Sequence, residues 1–174
     1  MLYLIVGASG SGKSYICNKI CKDFNKSEVI SRTTRQPRYK HEATHVFVSQ
    51  EQANQELKDS IAKTVFDGNL YYVLKEDIQG KDLYVIDPNG VESLKMDKTN
   101  TIIIFLKVGL IRRIFNMKKR GDKFKSIVKR IINDRKVFKG FERKADVVLY
   151  SSDELYEMFK EKNINDQIRK IKRN

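Results

Sequence analysis

Eight residues near the start of the chain, Gly7-Ala8-Ser9-Gly10-Ser11-Gly12-Lys13-Ser14, match the spacing of a phosphate-binding loop without a mismatch. The residue types dictate the chemistry. Glycines let successive backbone N–H groups turn inward around a β-phosphate, and a helix starting there adds the positive end of its dipole. The Lys13 ammonium can neutralise charge at the β/γ-phosphates, and the Ser14 hydroxyl can ligate Mg2+. We take Ala8, Ser9, Gly10, Ser11, Gly12, Lys13, Ser14 and Tyr15 as the set that holds a nucleoside triphosphate. A second group of anion-binding type is Ser31-Arg32-Thr33-Thr34-Arg35-Gln36-Pro37-Arg38. Arg35 and Arg38, held by the intervening proline, could grip one phosphate through charge-assisted forks while Ser31 donates a hydrogen bond. An exposed basic loop is the alternative reading of that stretch.

Elements must hold these groups in place. Short apolar runs predict core strands at 2–6, 28–31, 82–86, 101–106 and 146–150, separated by helical segments. That alternation is the pattern of an α/β fold with a five-stranded parallel sheet. The loop lies between the first strand and helix 13–24, which carries Ile16, Ile20 and Phe24 at helical spacing. Segment 109–119 carries Leu110, Ile111, Ile114 and Phe115 in a similar stripe, read as core. Ser49-x-x-Gln52 and Ser151-x-x-Glu154 read as capping boxes. Two stretches break the alternation. Residues 32–46 have no clear period, and 45–48 with 61–73 read as strands with a turn at Asp67-Gly68-Asn69, together a small inserted antiparallel subdomain. Arg120-Gly121-Asp122-Lys123 interrupts two helices, with Gly121 as a hinge.

At 174 residues and 40% hydrophobic content, one compact domain is expected. The longest apolar run, Thr101 to Leu106, is far short of the roughly 18 residues of a membrane helix, and the start lacks signal-peptide character. A soluble cytoplasmic protein without a membrane partner is the expectation. Cys17 and Cys21 lie four apart on a helix, too far for a relaxed disulfide, and read as small apolar residues. With only His41 and His45 besides, no zinc site is expected. The net charge of +13 fits phosphate substrates or nucleic acid, but no sequence-reading motif is present, so nucleic acid is not taken as a partner.

A phosphate loop alone leaves hydrolases and kinases open. No Asn-Lys-x-Asp motif of a switch GTPase is present. A small kinase needs a second anion site and a lid that expels water, and the two irregular stretches are candidates for both.

The loop followed by Ser31-x-x-Thr34-Arg35-x-Pro37-Arg38 resembles the guanylate kinase family. The resemblance continues through Phe47-Val48-Ser49, Gly68-Asn69-Leu70-Tyr71, Asp87-Pro88-Asn89-Gly90-Val91, Arg120-Gly121 and Ser126-Ile127-Val128-Lys129-Arg130, covering most of the chain. It implies ATP- and Mg2+-dependent phosphoryl transfer to GMP or dGMP. It also implies a core of 1–31, 80–119 and 131–174, an acceptor-binding subdomain at about 32–79 and a lid at about 120–130. Ser31, Arg35, Arg38 and Tyr71 would bind the acceptor phosphate, and Asp87 would lie near acceptor and Mg2+, which Ser14 also ligates. Arg120 and Arg130 would be lid arginines acting with Lys13 on the transferring group.

Departures from the family pattern fall on base recognition. A tyrosine in Gly-x-Asp-Tyr-x-Phe is replaced by His45, which would face the acceptor phosphate with an imidazole. A guanine-binding Glu is replaced by Ala62, with Lys63 beside it; Gly-Asn-Tyr-Tyr-Gly-Ser becomes Gly68-Asn69-Leu70-Tyr71-Tyr72-Val73; an Asn after the last strand becomes Tyr150. The ribose 1,5-bisphosphate phosphokinases, whose acceptor has no base, are similar around His45 and Leu70-Tyr71-Tyr72 and give the second reading. A guanylate-kinase-like interaction module is the third, and the intact Lys13-Ser14 argues against it.

Overall fold

The computed structural model describes residues 1–37, 40–66, 68–96 and 98–171. The chain runs β1 (Leu2–Gly7), α1 (Lys13–Asp23), β2 (Arg32–Thr33), β3 (Val46–Phe47), α2 (Gln50–Glu56), β4 (Ser60–Phe66), β5 (Asn69–Leu74) and α3 (Lys75–Ile78). It continues β6 (Leu83–Val85), α4 (Pro88–Ser93), β7 (Thr101–Leu106), α5 (Leu110–Lys119), α6 (Phe124–Val137), β8 (Val147–Leu149) and α7 (Ser152–Ile171). Two compact units emerge, Met1–Leu4 with Ser27–Ile102 and Ile5–Lys26 with Ile103–Asn174.

The parallel sheet has four strands in the order β6-β1-β7-β8, one fewer than the sequence predicts. Residues 28–31 make only a single bridge, Glu28 to Leu83. The backbone bonds explain it: the Val29 N–H donates to Leu83 O at 2.8 Å, but two residues on, Ser31 O accepts the Val46 N–H of β3 at 3.0 Å, so the chain leaves β6 for the other sheet.

In the first unit a four-stranded sheet runs β3-β2-β5-β4. The expected hairpin is there, β4 pairing antiparallel with β5 down to Phe66 opposite Asn69. The subdomain is not wholly antiparallel, however: Arg32 pairs with Val46 and Thr33 with Phe47 in parallel register. About a dozen intervening residues return the chain in the same direction, which a short turn could not do. Ser49 caps α2 by accepting the Gln52 N–H, but the Gln52 side chain goes to Glu56 rather than closing a box.

In the second unit α1 buries Ile16, Cys17 and Ile20, and Phe24 meets Tyr156 of α7 with ring centroids 5.2 Å apart. Both cysteines are reduced, with Cys17 buried. α7 opens with its expected cap, Ser151 accepting the Glu154 N–H and the Glu154 carboxylate accepting from Ser151 and the Tyr150 N–H. α5 corrects the sequence reading. Leu110, Ile111 and Phe115 are exposed, Ile111 at 86%, and the helix instead turns Arg113, Asn116 and Met117 inward. That face meets the polar backbone of the phosphate loop, so the inward positions need hydrogen-bond donors more than hydrocarbon. Gly121, at φ +89°, separates α5 from α6 as expected. Among the described residues no helix is long and apolar enough to cross a membrane.

Candidate functional site

In the second unit, the loop between β1 and α1 closes tightly, Ser11 N–H donating to Ala8 O at 3.1 Å, and α1 begins at Lys13 with Gly12 as its N-cap. Lys13 folds back over the loop. Its Nζ donates to the carbonyl of Gly7, to Ala8 O at 3.2 Å and to Ser11 Oγ at 3.3 Å. Burial pushes the Lys13 ammonium down to about 8; Asp134 and Cys17 work against that shift, while Arg113 and Arg120 add to it. Ser14 and Tyr15 are exposed on the first turn of α1.

The outer side of the loop is gripped by two later helices, which the sequence reading did not foresee. Asp134 of α6, only 2% exposed, accepts the Ser9 N–H at 2.9 Å and the Ser9 hydroxyl at 3.2 Å, and pairs with Arg113 of α5. Arg113 Nε donates to Ser9 O at 2.8 Å, and Asn116 Nδ2 to Gly10 O at 2.8 Å. Gly10 explains why the approach is possible, since a Cβ there would lie 2.4 Å from Arg113 O. A signal was present: Asp134 is the sole acid in Phe124–Val137, and it sits seven residues after Ile127 on the buried face.

The two expected lid arginines stand on the same helices. Arg120 caps the C-terminus of α5 and donates from Nε to Asp122 at 2.9 Å, a bond that raises its already high pKa. Arg130 Nε lies 3.4 Å from Ser126 Oγ and 4.0 Å from the same Asp122. Asp122 therefore draws both guanidiniums together.

The first unit holds most of the expected acceptor set. Ser31 Oγ lies 2.9 Å from His45 Nδ1, and the His45 ring meets Tyr71 edge-on with centroids 5.4 Å apart. Arg35 donates to Gln36 O at 2.8 Å and pairs with the fully buried carboxylate of Glu42 at 2.8 Å. Thr44 also donates to Glu42, at 2.7 Å, and the Arg35 guanidinium sits 5.2 Å over the Phe47 ring. Burial opposes the Arg35 charge, but its hydrogen bonds to Glu42 and Tyr71 outweigh this and raise its pKa. Arg35 Nε is a buried donor with no hydrogen-bond partner among the described residues. Arg38 lies outside them. Glu42 was missed, although an acid so soon after Arg35, Arg38 and Lys40 was a visible signal.

Arg32, from the same basic segment, does different work. It bonds Asp77 at 3.0 Å, Glu76 at 2.7 Å and Glu56 at 3.3 Å, which ties β2 to α2 and α3. Asp87 caps α4, accepting the Gly90 N–H at 2.6 Å and the Thr64 hydroxyl at 2.8 Å. Ala62 and Val73, two of the positions that depart from the family pattern, are direct cross-strand partners, 2% and 0% exposed. Tyr150 is exposed.

The guanylate kinase family model matches residues 1–162. A guanylate kinase of Fusobacterium nucleatum is 28% identical over 116 residues, 61% of this chain, and the match spans 63% of that relative. The crystal structure of a guanylate kinase from Anaplasma phagocytophilum superposes with a TM-score of 0.64 at 19% identity, covering 93% of this chain and 86% of that one. An uncharacterised protein from Eubacterium ventriosum gives 0.51 at 16% identity, covering 94% and 98%. Those two likenesses bear on the fold, and the match along nearly the whole chain bears on descent: this protein belongs to the guanylate kinase family.

Proposed function

We propose that the protein transfers the γ-phosphoryl group of ATP to a phosphorylated small acceptor, with GMP or dGMP as the first candidate. The bond from the γ-phosphorus to the β,γ-bridging oxygen breaks, an acceptor phosphate oxygen forms the new bond, and ADP and a nucleoside diphosphate leave. The observation that carries this reading is the intact loop with Lys13 Nζ folded against the carbonyls of Gly7 and Ala8. Its cation and backbone donors suit the β- and γ-phosphates.

Ser31, Arg35, His45 and Tyr71 would hold the acceptor phosphate, joined by Arg38. The unpartnered Arg35 Nε supports this, because a phosphate oxygen would satisfy a buried donor. Arg120 and Arg130, in a lid at 120–130, would neutralise charge on the transferring group. Mg2+ suits the oxygen donors available: the exposed Ser14 hydroxyl would hold it directly and Asp87 through water. Bound there, it would screen the phosphate charge that develops during transfer.

Ala62 and Val73 favour a second reading. Two buried apolar side chains facing each other offer a guanine edge no hydrogen bond, and an acceptor without a base, such as ribose 1,5-bisphosphate, needs none. An ADP-release assay against the common nucleoside monophosphates and ribose 1,5-bisphosphate separates the two. Turnover of a single acceptor class identifies it, and no turnover of any acceptor with ATP still bound overturns the kinase reading.

A further inference from the structure

The grip of α5 and α6 on the loop does more than fill space. A trans peptide is planar, with its C=O and N–H pointing opposite ways. Arg113 holds the Ser9 carbonyl at 2.8 Å, so the Gly10 N–H in the same plane is turned to the opposite side. Asn116 fixes the next carbonyl, and Asp134 fixes the Ser9 N–H before it. Three of the four backbone polar groups of Ser9 and Gly10 are thus set by side chains more than a hundred residues later in the chain.

The same side chains are neighbours of the candidate lid arginines. Asn116 precedes Arg120 by four residues on α5 and its C-cap, and Arg130 precedes Asp134 by four on α6. Residues so spaced are adjacent on one helix face.

We propose that Asp134, Arg113 and Asn116 are positioning residues for phosphoryl transfer, locking the backbone of Ser9 and Gly10 to α5 and α6 so that Arg120 and Arg130 stand in fixed register with Lys13. The inference rests on the kinase reading above for its effect on rate, but not for the grip itself. It deepens that reading by making the loop and the lid helices one mechanical part.

Two variants and two measurements test it in the full-length chain. Asp134→Asn keeps the shape and removes the charge that pairs with Arg113; Asn116→Ala removes a single donor. Each is assayed for kcat with the acceptor that the wild type turns over, and for ADP affinity by titration calorimetry. A contact needed only in the transition state lowers kcat and spares ground-state binding. The expected result is a fall in kcat of about tenfold or more for Asp134→Asn and a smaller fall for Asn116→Ala, with ADP affinity changed less than about threefold. Equal losses of kcat and ADP affinity, or unchanged kcat in a folded variant, overturn the proposal. If Asp134→Asn does not fold, Asn116→Ala decides alone.

The second measurement is amide hydrogen exchange at Ser9 in the wild type without nucleotide, where the bond to Asp134 should slow exchange well below that of an exposed loop. Fast exchange there defeats the grip whatever the activity. Slow exchange in a protein that phosphorylates no acceptor defeats the kinase reading and leaves the grip standing.

Discussion

The two units hold their proposed anion-binding groups by opposite means. In the second, the material proposed to face phosphate is backbone, and side chains from α5 and α6 work from outside to fix it. In the first, the material proposed to face the acceptor is side chain: the Glu42 carboxylate and the Gln36 carbonyl hold Arg35, and His45 meets Ser31. A backbone cradle presents the same donors as long as its glycines, its lysine and the outer grip of Arg113, Asn116 and Asp134 persist. A side-chain cradle changes its ligand whenever one member changes, and three of the departures from the family pattern, His45, Ala62 and Val73, lie in this unit.

The sharpest way to break this contrast is Lys13→Ala. Removing the loop's only cation should cost about 10²–10³-fold in kcat/KM and leave the thermal midpoint within about 3 °C, because its ammonium bonds groups of the loop rather than packing in the hydrophobic core. Steady-state kinetics with a melting curve check both, and wild-type turnover would mean that the loop does not hold the nucleotide.

Glu42→Gln should strike the other unit. It leaves the Arg35 guanidinium buried beside an amide, a loss on the order of 3 kcal/mol in stability, visible in denaturant unfolding. The acceptor KM should rise about tenfold while the KM for ATP stays near wild type. A change in the ATP term instead would erase the division between the two cradles.

Ala62→Glu combined with Val73→Ser asks whether this strand pair chooses the acceptor. A carboxylate buried there needs hydrogen-bond donors, which a guanine edge supplies. The expected gain is about tenfold in kcat/KM for GMP with none for ribose 1,5-bisphosphate, measured side by side. Equal kinetics for the double variant and wild type would remove the pair from the acceptor pocket.

The smallest effect concerns Glu28. Burial pushes its carboxyl up from 4.5 to about 7, so the folded state favours the protonated form. The associated stability is complete below pH 4.5 and is lost as pH rises through 7. Glu28→Gln should therefore be more stable than wild type above pH 7, by about 1–2 kcal/mol after allowing for partial exposure, with no advantage below pH 4.5. Parallel unfolding curves at the two extremes would show the carboxyl to be solvated.

Legibility followed the same division. The loop could be read because its function is written in adjacent residues, glycine spacing and one lysine between a strand and a helix. The helix interruption at Gly121 and the hairpin of β4 and β5 were legible for the same reason, each being local. What could not be read depends on distant partners. Asp134 meets Ser9 across 125 residues, and the expected strand at 28–31 is cut short where Ser31 O turns to the Val46 N–H. The stripe at Leu110, Ile111 and Phe115 misled because apolar periodicity marks core only where the opposite face has no stronger claim. Here Arg113 and Asn116 had one.

The most direct test of the account follows phosphorus itself. In a mixture of protein, Mg2+, ATP and GMP, with ribose 1,5-bisphosphate as a parallel acceptor, ³¹P NMR should show a new acceptor phosphoryl signal growing in step with ADP and little inorganic phosphate. ADP accompanied only by inorganic phosphate would make the protein a hydrolase and contradict transfer between two held phosphates.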